Sequence, residues 1–394
     1  MSVPDVVILA GARTPFARLS GGLAPLSAAA LGATAIRGAL ARAGVAGADV
    51  DQVLMGQVLQ AGAGQNPAKQ AAVGAGIPWQ VPAATLNKVC LSGLLAVIDA
   101  ARLIRLGEAN VVVAGGQESM TNAPHLLPAS RRGYQYGSIE LLDHTAYDGL
   151  TDAFEHESMG ASTERRNARF GLTRAEQDEY AVSSHRRAAA AARGDRFVDE
   201  IVPVEVPQRR GDPVVVAADE GVRPDTSTDT LGALRPAFAE NGTITAGNSS
   251  PISDGAAALV VASRDWAEAR GLPWLATVGA AGQVAGTDPT LHSQPAIAIH
   301  AALRRAGWAA ADLDHIEINE AFAAVAVQSS RELGVDPAVV NPDGGAIALG
   351  HPIGASGARL ALHAALALSR RGSGRAAVAL CGGGGQGEAL LLER

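Results

Sequence analysis

The chain has 394 residues, 47% of them apolar and 18% charged, with 46 glycines. That length exceeds one small core and predicts two or three globular units, and the apolar content excludes a disordered chain. Thirty-nine acidic against 32 basic residues leave a net charge of −7, which provides no pull toward nucleic acid or an anionic membrane.

In chain order, apolar β-branched runs and Ala-rich stretches predict a strand at 6–10, a helix at 27–43, and a helix at 92–106 leading to a strand at 111–114. A helix at 174–192 follows, then a strand at 257–262, a helix at 294–306, a strand at 315–318, a helix at 355–371 and a strand at 376–380. Strands alternating with helices define an α/β chain. One unit occurs twice. Ser92-Gly93 opens a helix that leads to Val111–Ala114 and then Gly115-Gly116-Gln117; Ser356-Gly357 opens another that leads to Ala377–Leu380 and then Gly384-Gly385-Gln386. The pattern hints at a duplicated architecture. Residues 124–170 lack clean periodicity, as a functional or oligomeric insertion would, and residues 263–272 are the expected join between halves.

The only cysteines are Cys90 and Cys381. Two thiols make no disulfide framework, so a reducing compartment is expected. The N-terminal apolar run at 6–10 is too short for a secretory signal and follows the acidic Asp5 where such a signal needs a basic start, and no stretch reaches the roughly 18 apolar residues of a membrane span. A cytoplasmic location follows by elimination.

Three segments carry chemistry. In Asn87-Lys88-Val89-Cys90-Leu91-Ser92-Gly93 a thiol stands at a predicted helix N-terminus, where unpaired N–H groups and the macrodipole favour thiolate. The alternative is a small buried hydrophobe, the usual role of a free cysteine. In the segment 344–357 (GGAIALGHPIGASG), glycines surround His351, which is stiffened by Pro352. That histidine is either a structural residue or a base and hydrogen-bond donor. In Cys381-Gly382-Gly383-Gly384-Gly385-Gln386-Gly387, consecutive glycines at a strand end expose N–H groups able to hold an oxyanion, or else form a flexible turn. No Lys-Ser or Lys-Thr follows the glycines, which excludes a phosphate-binding loop. No metal is expected, because two cysteines this far apart lack paired ligand spacing.

These segments resemble the thiolase family closely. NKVCLSG resembles its nucleophile motif, INEAFA (318–323) its Asn-Glu-Ala-Phe motif, GGAIALGHPIGASGAR its histidine motif and CGGGGQGEA its second-cysteine motif. GARTPF, AGGQESM, LRPAF and AGNSSPISDGAAA match in family order, so the resemblance covers the chain from residue 11 to the C-terminus.

The resemblance implies a thiolase fold: two similar α/β halves, each a mixed five-stranded sheet, layered α-β-α-β-α, with a loop domain. The halves would be residues 1–268 and 269–394, with the loop domain at about 119–250. Cys90 would carry the acyl group as a thioester, and His351 would activate it. Cys381 would take the α-proton of the second acetyl-CoA, whose thioester oxygen His351 and a water on Asn319 would hold. The N–H groups of Cys90 and Gly383 would form the other oxyanion site. By motif position, Leu150, Met159, Arg223, Ala246, Ser250, Ala321 and Phe322 would contact coenzyme A. Acetyl-CoA, acetoacetyl-CoA and CoA would be substrates and products, with no cofactor, no nucleic acid or membrane partner, and a homotetrameric or homodimeric assembly. A degradative 3-ketoacyl-CoA thiolase of longer chains and a non-catalytic acyl-CoA or lipid-binding relative are the alternatives.

The chain departs from the family at three places. Ser158 stands where a histidine often precedes the methionine, and His156 is out of register. Leu91 replaces a small residue and is expected to reshape the acyl pocket. Residues 287–296 read TDPTLHSQPA instead of the family's proline-rich run.

Overall fold

The computed structural model describes residues 4–394. Nine strands form its main sheet: β1 (Val6–Arg13), β2 (Gln52–Gly56), β3 (Ala83–Leu86), β4 (Val111–Ser119), β5 (Ser253–Ser263), β6 (Ala276–Ala285), β7 (His315–Ile318), β8 (Arg375–Gly382) and β9 (Gln386–Glu393). They lie in the order β7-β8-β9-β6-β1-β5-β4-β2-β3, with a short strand Ala17–Arg18 added beside β5. β1, β4 and β5 are buried along their whole length. Burial on both faces explains why they read as continuous apolar runs without alternation.

The strand order repeats. β1-β5-β4-β2-β3 and β6-β9-β8-β7 follow one scheme, with antiparallel neighbours on the first strand's side and parallel ones beyond. The second set holds four strands, not five. Its fifth position is reduced to a parallel bridge between Ile316 and Val340, because Pro337 and Pro342 flank that residue and remove ladder donors. The two sets join edge to edge where Val7 faces Thr277 and Ile8 faces Ala276.

The principal helices are α1 (Ala28–Ala43), α2 (Ser92–Arg105), α3 (Met159–Asn167), α4 (Arg174–Arg193), α5 (Gln294–Ala306), α6 (Ala323–Leu333) and α7 (Ser356–Arg371). Ser27 caps α1 by accepting from Ala30 N–H, and Gly44 ends it in the left-handed region, as helix-end chemistry demands. Thr173 and Glu176 form a reciprocal capping box on α4, which fixes the longest helix at its first turn.

α2 and α7 pack together between the two sets of strands. Leu94, Val97, Leu360 and Ala364 from these helices share one core with Val112 and Leu259 of the first set and Val378 and Leu390 of the second. α1 covers the outer face of the first set and α5 that of the second, giving the layers α-β-α-β-α. Each fully buried Leu or Val contributes about 1.5–3 kcal/mol, so the central layer holds the halves together. The helices approach closely at Gly357, where an added Cβ would lie 2.4 Å from the Leu94 backbone nitrogen. That contact sets the start of α2 beside the start of α7.

Residues 124–170 contain a short hairpin (His125–Leu126 with Leu142–Asp143), one π-helical turn (Thr145–Gly149) and α3. Among the described residues, no helix is long and apolar enough to cross a membrane.

Candidate active site

Cys90 stands in the connection from β3 to α2. The residue before it, Val89, has φ of 50°, a conformation that costs a β-branched residue about 1–3 kcal/mol. Ser92 holds this turn: Lys88 N–H donates to its Oγ at 2.8 Å, and its hydroxyl donates to the Val89 carbonyl at 2.6 Å. The turn presents the half-buried Cys90 to a cavity of about 370 Å³ whose wall also includes His351, Cys381 and Gly383.

The expected thiolate is not the resting form. Burial pushes the Cys90 thiol up to about 12, and the buried carboxylate of Glu118 raises it further. The helix start cannot offset this, because the N–H groups of Leu91 and Ser92 already bond the carbonyls of Lys88 and Val89. At pH 7 such a thiol is ionised in roughly one molecule in 10⁵. For this sulfur to act as a nucleophile, a base must first take its proton.

His351 has the form such a base requires. It is buried, and burial alone lowers its imidazole to about 4, so the ring is neutral at neutral pH. Its Nδ1 lies 2.6 Å from Ser356 Oγ, while that hydroxyl also lies 3.0 Å from the Pro352 carbonyl. The hydroxyl hydrogen serves Pro352, so Nδ1–H donates to Ser356, and Nε2 keeps its lone pair. Gly350, directly before, has φ of 118°, and a Cβ there would lie 2.6 Å from Ser253 Oγ. Ser253 Oγ in turn accepts from His351 N–H at 3.1 Å.

Asn319 follows β7, is buried, and donates from Nδ2 to His351 Nε2 at 3.3 Å. It does not itself line the cavity wall. Cys381 is 2% exposed; burial raises its thiol, and neighbouring Cys90 raises it further. Gly383 lies in the turn from β8 to β9, where Gly384 and Gly385 have positive φ.

Of the expected coenzyme A contacts, Leu150, Met159, Ser250, Ala321 and Phe322 line the cavity. Backbone pairing brings the last three together: Ser250 N–H donates to the Ala321 carbonyl at 3.1 Å, and Ser249 bridges Phe322. Arg223 and Ala246 lie exposed outside the cavity wall. The expectation for Leu91 is corrected. It is fully buried in the central core, against Gly382, and lines no part of the cavity.

Ser158 lines the cavity and caps α3 by accepting from Ala161 N–H, whereas His156 is exposed. Residues 287–296 contribute Leu291 to the wall. Phe238 is a wall residue that motif reading missed. Its ring meets Phe322 edge-on with centroids 6.2 Å apart and occupies the space above Gly160. Met120, Ile252 and Ile353 complete the apolar side. Their signal lay in the quoted motifs, but apolar residues there cannot be told from ordinary core.

His351→Ala is expected to slow alkylation of Cys90 by iodoacetamide near neutral pH by about 10²-fold, the usual worth of a general base. Unchanged alkylation with lost turnover would leave His351 only an oxyanion role. The comparison needs alkylation rates and turnover on the same preparations.

Two thiols and a neutral imidazole thus share the wall of one apolar cavity, beside a glycine turn. Family models described as "Thiolase, N-terminal domain" and "Thiolase, C-terminal domain" match residues 6–265 and 272–394. The chain belongs to the thiolase family. It is 61% identical to a protein of Mycolicibacterium smegmatis named probable acetyl-CoA acetyltransferase, over 98% of this chain and 100% of that protein. A Mycobacterium tuberculosis protein of the same name is 60% identical over 98% of each chain. The acetyl-CoA acetyltransferase of Cupriavidus necator is 49% identical over 99% of each.

Proposed function

We propose that the protein catalyses the reversible Claisen condensation of two acetyl-CoA molecules to acetoacetyl-CoA and CoA through an acyl-enzyme on Cys90. The observation that carries this reading is the convergence of Cys90, His351, Cys381 and Gly383 on one cavity. The relatives named acetyl-CoA acetyltransferase over nearly the full length support the substrate.

The resting protonation states order the steps. His351 Nε2 takes the Cys90 proton as sulfur attacks the thioester carbon, and the N–H groups of Cys90 and Gly383 hold the oxyanion. Cys381, neutral at rest, gives its proton to the departing CoA sulfur and becomes a thiolate. That thiolate removes the α-proton of the second acetyl-CoA, while His351 and a water on Asn319 hold the enolate oxygen. The carbanion then attacks the acyl carbon on Cys90 and releases its sulfur.

Leu150, Met159, Ser250, Ala321 and Phe322 would hold the pantetheine arm along an apolar wall, and Arg223 and Ala246 would serve coenzyme A outside it. No cofactor enters these steps. We further read the chain as cytoplasmic, as halves 1–268 and 269–394 with a loop domain at about 119–250, and as a homotetramer or homodimer. The exposed Tyr136, Ile139 and Leu141 of that loop region fit a covered surface.

A thiolysis assay across acyl-chain lengths tests the substrate. kcat/KM should be highest for acetoacetyl-CoA and at least about 10-fold lower for 3-ketooctanoyl-CoA, within the range a pocket can discriminate by methylenes. A flat or rising profile would favour the longer-chain degradative reading. No turnover of any substrate would favour a binding protein.

A further inference from the structure

Behind the catalytic segment lies a buried cluster of ionisable groups that the reaction does not use. His315 and Glu317 come from β7, Asp343 from the turn before His351, and His363 from α7. His315 Nε2 is 2.9 Å from Glu317 Oε1. His363 Nε2 is 3.2 Å from Asp343 Oδ2 and 4.0 Å from Glu317 Oε1. We propose that His315, Glu317 and His363, whose ligand atoms all lie within 4.8 Å of one another, form the core of a structural binding site for a divalent cation of the zinc class, which the partly exposed Asp343 beside His363 closes as fourth ligand.

Geometry carries the proposal. Four ligand atoms on a tetrahedral zinc, each about 2.0–2.2 Å from the metal, lie about 3.3 Å from one another. The separations of 2.9 Å between His315 and Glu317, 3.2 Å between His363 and Asp343 and 4.0 Å between His363 and Glu317 each lie within an ångström of that spacing. Two imidazole nitrogens with two carboxylate oxygens suit zinc and exclude magnesium, which takes oxygen ligands.

The outer contacts fit as well. His363 Nδ1 lies 2.8 Å from Glu200 Oε2, so Nδ1–H donates to that carboxylate and aims Nε2 at the site. A carboxylate behind a ligating histidine is the usual support of a zinc ligand. Arg359 Nη1 holds the other Glu317 oxygen at 3.1 Å, leaving Oε1 to face the cation.

Charge supports the same reading. Within the directly bonded set, Arg13 and Arg359 face four carboxylates: Glu200, Asp219, Glu317 and Asp343. The carboxylates outnumber the guanidiniums by two, nearly all out of water, and a divalent cation would offset that excess. Arg42 faces Glu200 and Arg196 faces Asp343 from the exposed side, where solvent screens them. Entry is from Asp343, whose side chain is 20% exposed.

Bound there, the cation would tie β7, the turn leading to His351 and the helix that follows it. The expectation of no metal rested on cysteine spacing alone, which is blind to ligands drawn from three separate elements.

The test uses the full chain with Cys90→Ala and Cys381→Ala, so that the cavity thiols cannot take zinc. After chelation, loading with equimolar zinc and gel filtration, mass spectrometry of the metal should find about one zinc per chain. Magnesium should not bind under the same conditions. Asp343→Asn, a partly exposed isosteric change, and His315→Gln should each weaken zinc binding at least about 10-fold, with unchanged circular dichroism. Zinc below about a tenth per chain, or retention equal in both variants, would overturn the proposal.

Discussion

Cys90→Ala is expected to lower both thiolysis and condensation by on the order of 10⁴-fold or more, the scale seen when a covalent nucleophile is removed. The loss should be complete in both directions because every route passes through sulfur on residue 90. The fold should survive. Cys90 is half-buried on the cavity side, and it supports only the edge of a small cluster with Val58, Leu59, Met120 and Ile353. Wild-type protein incubated with acetyl-CoA should gain one acetyl group per chain, on the peptide that contains Cys90. An acetyl group found on Cys381 would exchange the two assignments. The neutral resting thiol adds a further expectation: the acyl-enzyme forms rapidly with acetyl-CoA, while a simple alkylating agent reacts slowly near neutral pH. Both reactions draw on His351 as base, but only the thioester gains the oxyanion donors that stabilise its transition state.

Much of this site was legible in the sequence because local chemistry marks it. A thiol before Ser92-Gly93, a histidine after a glycine and before Pro352, and a thiol before four glycines each carry a signal without tertiary information. The strands read from β-branched runs, such as Val111–Val113, were found where predicted and extend further, since both faces are buried.

Elements decided by their neighbours were not legible. β9 reads QGEALLLE, a helical composition, yet it is a strand because β6 and β8 flank it on both sides and satisfy its backbone. β2 and β3 are too short for periodicity to register. Leu91 is drawn into the core by its approach to Gly382, a contact between residues distant in sequence. The raised thiol of Cys90 depends first on burial and then on Glu118 at the end of β4, and a helix-start pattern reports neither.

Cys381→Ala separates the two thiols. The variant should still become acetylated on Cys90, since that step needs His351 and the oxyanion donors but no carbon deprotonation. It should form acetoacetyl-CoA at least about 10²-fold more slowly than wild type, the lower end of the worth of a positioned base. It should also fail to exchange the methyl hydrogens of acetyl-CoA with deuterated water. The placement of Cys381 makes this split sharp. It is buried, it faces the same cavity as Cys90, and its thiol is raised by burial and by Cys90 nearby. A group so raised is a poor acid at rest but a strong base once it has given its proton to the leaving CoA. Only a base of that strength matches a carbon acid as weak as a thioester methyl. Asn319→Ala should slow the same exchange less severely, because its contact to the enolate runs through His351 Nε2 and a water, not through the reacting carbon. The measurement is mass spectrometry of the Cys381→Ala acyl-enzyme alongside deuterium exchange followed by NMR. Exchange at the wild-type rate would mean that another group removes the proton, and the division of labour between the two cysteines would be lost.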